Sequence, residues 1–319
     1  MTAKPRPVPL ESSADWQAYF SALARHAGID AAGITPPQIR FMRIGSLRFR
    51  YLDWGREDAP ALVLLHGGGQ CAHTWDAFCL LASPRYRCLV LDQRGSGDSE
   101  WPADAAYAIE DHAADVAAFI ERMGLERPLL VGMSMGGVNA TAYAARHPDR
   151  LRGLVSIDVG PEMQVEPVRR LMTSMGAMWT FASIEEAARK LANMGARRDL
   201  ALLHRTLAFN MRQQDDGRWI WKFDPRPLFG ISVEELLGPR RKLWSVLDRI
   251  TCPALVVRGG ESEVFSAADA EAFARRLPQG QLAVVPNARH SVQTDNPRGL
   301  ADVVLAFDRG LHAVPQTAS

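Results

Sequence analysis

"LLVGMSMGGVNA", Leu129 to Ala140, decides how the rest of this chain is read. An apolar run stops at Gly132, a serine follows at Ser134, a second glycine stands at Gly136, and a run of small residues begins. Gly-x-Ser-x-Gly after a short buried strand makes a sharp turn into a helix. The central residue is strained there, and side chains at the flanking positions would clash, so Gly132 and Gly136 remove the clash. Ser134 is thereby predicted to hold its Oγ above the strand end, at a helix N-terminus where partial positive charge accumulates. The competing reading is a glycine-rich turn with an incidental serine. What lies at the ends of the neighbouring strands decides between them.

Outward from this turn the chain alternates strands and helices. "ALVLLHGGG", "YRCLVLDQRGSG", "RPLLVGMSMGG" and "LRGLVSIDVGP" read as buried strands. "AHTWDAFCLLA" and "AIEDHAADVAAFIERMGL" read as helices, the second with Ile109, Val116, Ile120 and Met123 on one face. Continuous apolar strands alternating with helices imply a parallel sheet covered on both sides. Upstream, Ile39 to Gly55 alternates apolar and basic residues around Gly45, a β-hairpin pattern. Ser13 caps a helix to about His26, with Trp16, Phe20 and Leu23 at helical spacing, and residues 1–12 are polar and Pro-rich. After Pro161 the pattern turns mostly helical, rich in Met and Trp, with capping-box spacings at Ser183…Glu186 and Ser232…Glu235. Strand–helix alternation resumes with "CPALVVRGG" and "QLAVVP", and a helix from about Pro297 closes the chain. The expected organisation is an N-terminal extension with one helix over 1–37, an α/β core over 38–160 and 249–319, and a helical cap over 161–248. The N-terminal helix either packs on the cap or exchanges onto a neighbouring subunit.

Ligand sites of parallel sheets form beyond the carboxyl ends of the strands. HGGG, DQRGSGDS, GMSMG, GGESE and NARHS all fall there. A serine hydroxyl needs a base to become a nucleophile. Of the eight histidines, His26, His112, His147, His204 and His312 fall on helices or their ends and read as surface residues. His73 reads as local structure, and His66 as a brace for its glycine loop. His290, following the last strand in "VVPNARHSV", is the candidate base. The orienting carboxylate is Glu263 by preference, with Glu261 and Asp158 as alternatives. Asp92 and Asp98 read as structural. Backbone N–H groups of Gly68 and Met135 are the candidate oxyanion donors. No GxxxxGK[ST] occurs, and HGGG lacks the GxGxxG spacing of a dinucleotide loop.

Together, HGGG at 66–69, DQRGSGDS at 92–99, GMSMG at 132–136, RGGESEV at 258–264 and His290 resemble the α/β-hydrolase superfamily, from about Ile39 onward. The chain order Ser, acid, His also matches. The resemblance implies an eight-stranded, mostly parallel sheet with a cap inserted after the sixth strand. It also implies Ser134 as nucleophile, His290 as base, an acid after the seventh strand, and an oxyanion hole at Gly68 and Met135. Two positions depart from the family pattern: the seventh-strand candidates are glutamates where most relatives have Asp, and Ser96 stands where the "RGxG" turn usually carries His or Phe.

The 319 residues are 47% apolar with a formal net charge of +1. The absence of a basic face argues against nucleic-acid binding. Cys71, Cys79, Cys88 and Cys252 form no metal-like cluster, and free thiols suit a reducing compartment. No secretory h-region and no run of about 18 apolar residues is seen, so the expected location is cytoplasmic, with no membrane association. Neither a cofactor nor a metal is expected, and the oligomeric state stays open. Met172, Met175, Met178, Trp179, Phe181, Trp219, Trp221 and Phe223 are expected mostly to pack the cap, a few lining an apolar pocket. The expected reaction is hydrolysis of a carboxylic ester or lactone of a mainly hydrophobic small molecule. Carbon–carbon bond hydrolysis with the same residues is the alternative. A ligand-binding, cofactor-free oxygenase or perhydrolase variant ranks lower, and epoxide or haloalkane chemistry would need a carboxylate where Ser134 stands.

Overall fold

The computed structural model describes residues 13–30, 33–177, 179–193, 200–228 and 230–313. The expectations for residues 1–12 and for Met178 lie outside them. The extended β1 (Gln38–Ile44) and β2 (Leu47–Trp54) form the anticipated hairpin, Ile44 opposite Leu47 and Gly45 at φ 57° in the turn. They join β3 (Ala61–Leu65), β4 (Arg87–Leu91), β5 (Leu129–Met133), β6 (Gly153–Ile157), β10 (Ala254–Gly259) and β11 (Gly280–Val285) in one sheet. The order is β1-β2-β4-β3-β5-β6-β10-β11, and β2 alone runs against its neighbours. This is the eight-stranded, mostly parallel sheet that the resemblance implies.

Period-2 alternation explains why these strands are apolar throughout. Val63, Leu65 and Leu130 face one way, into a core completed by Phe119 and Ile120 of α3 (Ile109–Arg122), Tyr143 of α4 (Met135–Arg146) and Phe273 of α9 (Ala267–Arg276). Leu62, Leu64, Val131 and Val155 face the other way. There they meet Phe78 of α2 (Asp76–Ala82), Val292 of the short α10 (Val292–Asp295), Leu300 and Val304 of α11 (Pro297–Ala313), and Tyr19 and Phe20 of α1 (Ser13–Ala27). A strand buried on both sides has no polar face to show.

Between β6 and β10 the chain leaves the sheet and builds a second body with its own core of Phe181, Leu203, Met211, Trp221 and neighbours. It holds α5 (Val165–Ala177), α6 (Ile184–Asn193), α7 (Leu200–Asn210) and α8 (Val233–Arg241). It is not purely helical: β7 (Thr180–Phe181), β8 (Met211–Gln213) and β9 (Trp219–Trp221) form an antiparallel sheet in the order β7-β9-β8. The aromatic alternation of "RWIWKFDP" is the sequence trace of β9. The Ser232 capping box closes, Glu235 N donating to Ser232 Oγ at 3.1 Å and Ser232 N to Glu235 Oε2 at 2.7 Å. At Ser183 only half the box forms: Glu186 N reaches Ser183 Oγ, while the Glu186 carboxylate takes Ala182 N.

Candidate active site

Ser134 stands between β5 and α4 at φ 51°, ψ −119°, a conformation that side-chain-bearing residues rarely adopt. The flanking glycines explain how the chain tolerates it. A Cβ on Gly132 would overlap the Gly136 carbonyl group, and one on Gly136 would overlap the Leu65 carbonyl. The strained turn is further held by Ser134 N donating to Ile157 O at 2.9 Å, which ties it to β6.

The imidazole arrives from the other end of the sheet. After β11, the loop carrying His290 is clamped to the end of β10 by Gly260 N to Val285 O and Glu261 N to Ala288 O, both 2.8 Å. His290 Nε2 lies 3.1 Å from Ser134 Oγ, and His290 Nδ1 lies 2.8 Å from Asp158 Oδ2. The network fixes the tautomer: Nδ1–H donates to the carboxylate, leaving Nε2 free to accept from the serine hydroxyl.

The carboxylate facing His290 is therefore Asp158, which corrects the preference for Glu263. Asp158 directly follows β6, the strand between β5 and β10, and is fully buried. Its oxygens also accept from Gly259 N at 2.8 Å and Ser262 Oγ at 2.6 Å. Glu263 instead points outward, its side chain 73% exposed, and pairs with Arg170 of α5 at 2.7 Å. Glu261 is exposed as well. The reason is positional. A residue directly after β6 sits between serine and histidine, whereas Glu263 lies several residues past the end of β10, after the chain has turned away. Ser262, which fixes the Asp158 carboxylate, was missed by sequence reasoning; its neighbourhood to Asp158 arises only from the pairing of β6 with β10.

Gly68 and Met135 line the same cavity as Ser134 and His290. The Met135 N–H belongs to the first turn of α4 and has no intrahelical acceptor. A Cβ at Gly68 would meet nothing within 4 Å, so the loop wall is open on that side. His66 braces the loop as anticipated. Gln93 N donates to its Nε2 at 3.0 Å, so Nδ1–H faces Gly67 O at 2.8 Å. Gln93 in turn donates to His66 O and accepts from Asn139 of α4. Burial holds His66 below the ordinary imidazole range, as this neutral bonding pattern requires.

His112 does not lie on the surface. It is 5% exposed and lines the cavity, and burial pushes it down to about 3, with Arg94 and His66 adding to the effect. Its helix, α3, forms as the apolar spacing implies, but the face bearing His112 turns inward, its ring 6.2 Å from that of Tyr107. Ser96 also has a definite role: its backbone bridges to Phe223, so the turn after β4 extends toward the cap sheet.

The cavity measures about 520 Å³. Met172, Met175 and Phe223 line it, while Phe181 and Trp221 pack the cap interior. Among the described residues no group of three or more His, Cys, Asp or Glu is placed to hold a metal ion, and all four cysteines are buried free thiols. Nor is any described helix long and apolar enough to cross a membrane.

Several known proteins of similar sequence and fold are hydrolases. The sequence profile of the alpha/beta hydrolase fold matches residues 60–297. An esterase of Mycobacterium tuberculosis, Rv0045c, is 32% identical over 294 residues, covering 89% of this chain and 94% of its own length. Its crystal structure superposes with a TM-score of 0.73 at 29% identity, over 93% of this chain and 99% of that one. The 2-(acetamidomethylene)succinate hydrolase of Mesorhizobium japonicum is 28% identical over 75% of this chain and 84% of its own length. A crystal structure of E-2-(acetamidomethylene)succinate hydrolase gives a TM-score of 0.76 at 25% identity, over 86% of this chain and 99% of that one. A 3-hydroxybutyrate-oligomer hydrolase of Cupriavidus necator is 26% identical over 81% of this chain and 92% of its own length.

Proposed function

This chain belongs to the α/β-hydrolase fold family and is a carboxylic-ester hydrolase, and from that premise we propose that it cleaves an ester or lactone of a mainly hydrophobic small molecule through an acyl-enzyme on Ser134. The observation that carries this reading is the continuous hydrogen-bonded line from Ser134 Oγ through His290 to Asp158, at 3.1 and 2.8 Å.

In this mechanism Ser134 Oγ attacks the scissile carbonyl carbon while His290 Nε2 takes its proton. Asp158 holds the imidazole in the reactive tautomer and stabilises the imidazolium that forms. The N–H groups of Gly68 and Met135 receive the developing oxyanion, each contributing about 10²–10³ in rate. His290 then protonates the departing alkoxide, and an alcohol leaves. Water, deprotonated by the same nitrogen, attacks the acyl-enzyme and releases the acid. A cavity of this size, walled by Met172, Met175 and Phe223, suits an apolar group of adaptable shape.

Carbon–carbon bond hydrolysis is kept as a second reading, because Arg240 of the cap lines the same cavity and substrates of that chemistry carry a carboxylate. The test is a panel of esters, lactones and a vinylogous keto acid, run with wild-type protein and with Ser134→Ala. Ester turnover and fluorophosphonate labelling in the wild type, with turnover about 10⁴-fold lower or more and no labelling in the variant, is the expected result. Turnover of the keto acid alone would shift the assignment to the second reading. No turnover of any member would overturn both.

A further inference from the structure

The cavity wall carries six side chains of formal charge, and four of them are already matched within the protein. Arg94 pairs with Asp115 at 2.6 Å, and Glu110 with Arg146 at 3.2 Å. Asp224 is held by Arg226 and by Tyr107, and Glu235 closes its capping box with Ser232 N. The two left over are both cations, Arg240 and Lys242, at the end of α8 and just beyond it. Neither forms an ion pair among the described residues.

Arg240 is the more telling of the two. Its Nη1 lies 3.1 Å from the thioether of Met163, in the segment that follows Asp158, and a thioether is a poor acceptor. The nearest carboxylate on that segment, Glu162, is taken by the neighbouring Arg241 at 3.0 Å. Burial works against the Arg240 charge and lowers it to about 10, so the group is still protonated at neutral pH, with no carboxylate offsetting the cost. Arg240 is part-buried, and the Met163 thioether is the acceptor it meets among the described residues, so the guanidinium reaches the cavity wall with no anionic partner from the protein. Lys242, exposed at the same end, adds positive potential without competing for the same position.

Building on the ester-hydrolase reading, we infer that the substrate carries a free carboxylate remote from the scissile carbonyl, and that Arg240 receives it across the cavity from Ser134. The planar fork matches a carboxylate in two parallel hydrogen bonds. Of the neighbouring wall, Met163, Leu236 and Pro239 are apolar, and the Glu235 carboxylate is turned back onto Ser232 N, which favours a small monoanion over a heavily hydrated dianion. The substrate class is thus a hemiester of a dicarboxylic acid, or an ester of a hydroxy acid, with an apolar middle. This narrows the expectation of a mainly hydrophobic substrate to one with a single charged end.

The test compares monomethyl succinate, glutarate, adipate and suberate with methyl esters of matching monocarboxylic acids, and acetyl esters of hydroxy acids with those of simple alcohols. At least one carboxylate-bearing ester should exceed its neutral counterpart about tenfold or more in kcat/KM, chiefly through KM. Arg240→Met should collapse that ratio, and Arg240→Lys should keep part of it. If Arg240→Met does not fold, the wild type supplies a second readout: 6-hydroxyhexanoate, a monoanion, should inhibit neutral-ester hydrolysis competitively, and hexane-1,6-diol should not. Wild-type turnover of neutral esters with no preference for any carboxylate partner, or a preference that Arg240→Met leaves intact, overturns this inference while leaving the esterase reading standing. Turnover of neither class overturns the reading on which it rests.

Discussion

Asp158 occupies an unusual position for its size. It stands at φ 51°, like Ser134, and its carboxylate is held by three hydrogen bonds from different parts of the chain: β10 through Gly259, the following loop through Ser262, and the β11 loop through His290. A non-glycine residue persists at positive φ only where the surroundings over-determine it, at a cost of order 1–3 kcal/mol. Both residues that bracket His290, Ser134 and Asp158, are strained in this way. Asp158→Asn should keep the geometry but present an amide to Nδ1, favouring the wrong tautomer, and lower kcat by about 10⁴-fold. Glu263→Gln should change kcat less than about twofold, since its carboxylate meets only Arg170 in solvent. Steady-state kinetics of the two variants side by side separates the assignments; equal losses, or the larger loss at Glu263, would reverse them.

At the scale of elements, the turn from β5 into α4 depends on backbone approaching backbone. Gly132 and Gly136 are close to each other and to the ends of β3 and α4, so an added methyl group meets carbonyl groups that cannot move aside. Gly132→Ala is therefore expected to lose several kcal/mol, beyond the usual range for a surface change, and to give little folded protein. Ser134→Ala, which alters only the projecting hydroxyl, should keep the wild-type circular dichroism and melting temperature within a few degrees. A Gly132→Ala protein as stable as the wild type would mean that the turn is looser than the close approach of its backbone implies.

Over the whole molecule, the cap is fastened to the sheet domain by groups that never approach Ser134. Lys222, just past β9, pairs with Asp98 at 2.8 Å, and Asp98 with Arg50 of β2 at 3.0 Å. Arg50 donates to His73 Nε2, whose Nδ1–H reaches Asp76, which also accepts from Tyr19 of α1. Trp16 of α1 stacks on Phe209 of α7 at 5.3 Å, and Phe209 on His73 at 3.8 Å. The N-terminal helix thus packs on both the cap and the sheet domain of its own chain. Burial pushes Asp98 upward, but Lys222 and Arg50 outweigh it and hold its carboxyl below the ordinary range. A carboxyl depressed in the folded state stabilises above its unfolded value of about 3.9 and loses that contribution as the pH falls through the folded one. Lys222→Met should cost about 2 kcal/mol or more at pH 7, because Asp98 loses its cap partner, and the loss should shrink below about pH 4. Urea midpoints across that range check it, and an unchanged midpoint at pH 7 would show that this tether contributes nothing.

The sequence by itself determined the strand–helix alternation, the hairpin, the serine turn and the histidine after the last strand. Each of these is local: an apolar period, a glycine pair that relieves a clash, a residue at a strand's carboxyl end. Tertiary structure alone decided which carboxylate meets His290, that His112 faces inward, that Ser262 supports Asp158, and that Arg240 is left without an anion. Those outcomes depend on which strands lie side by side and on which charges find partners across elements. Residues far apart in the chain acquire such neighbours only when the sheet closes and the cap settles over it.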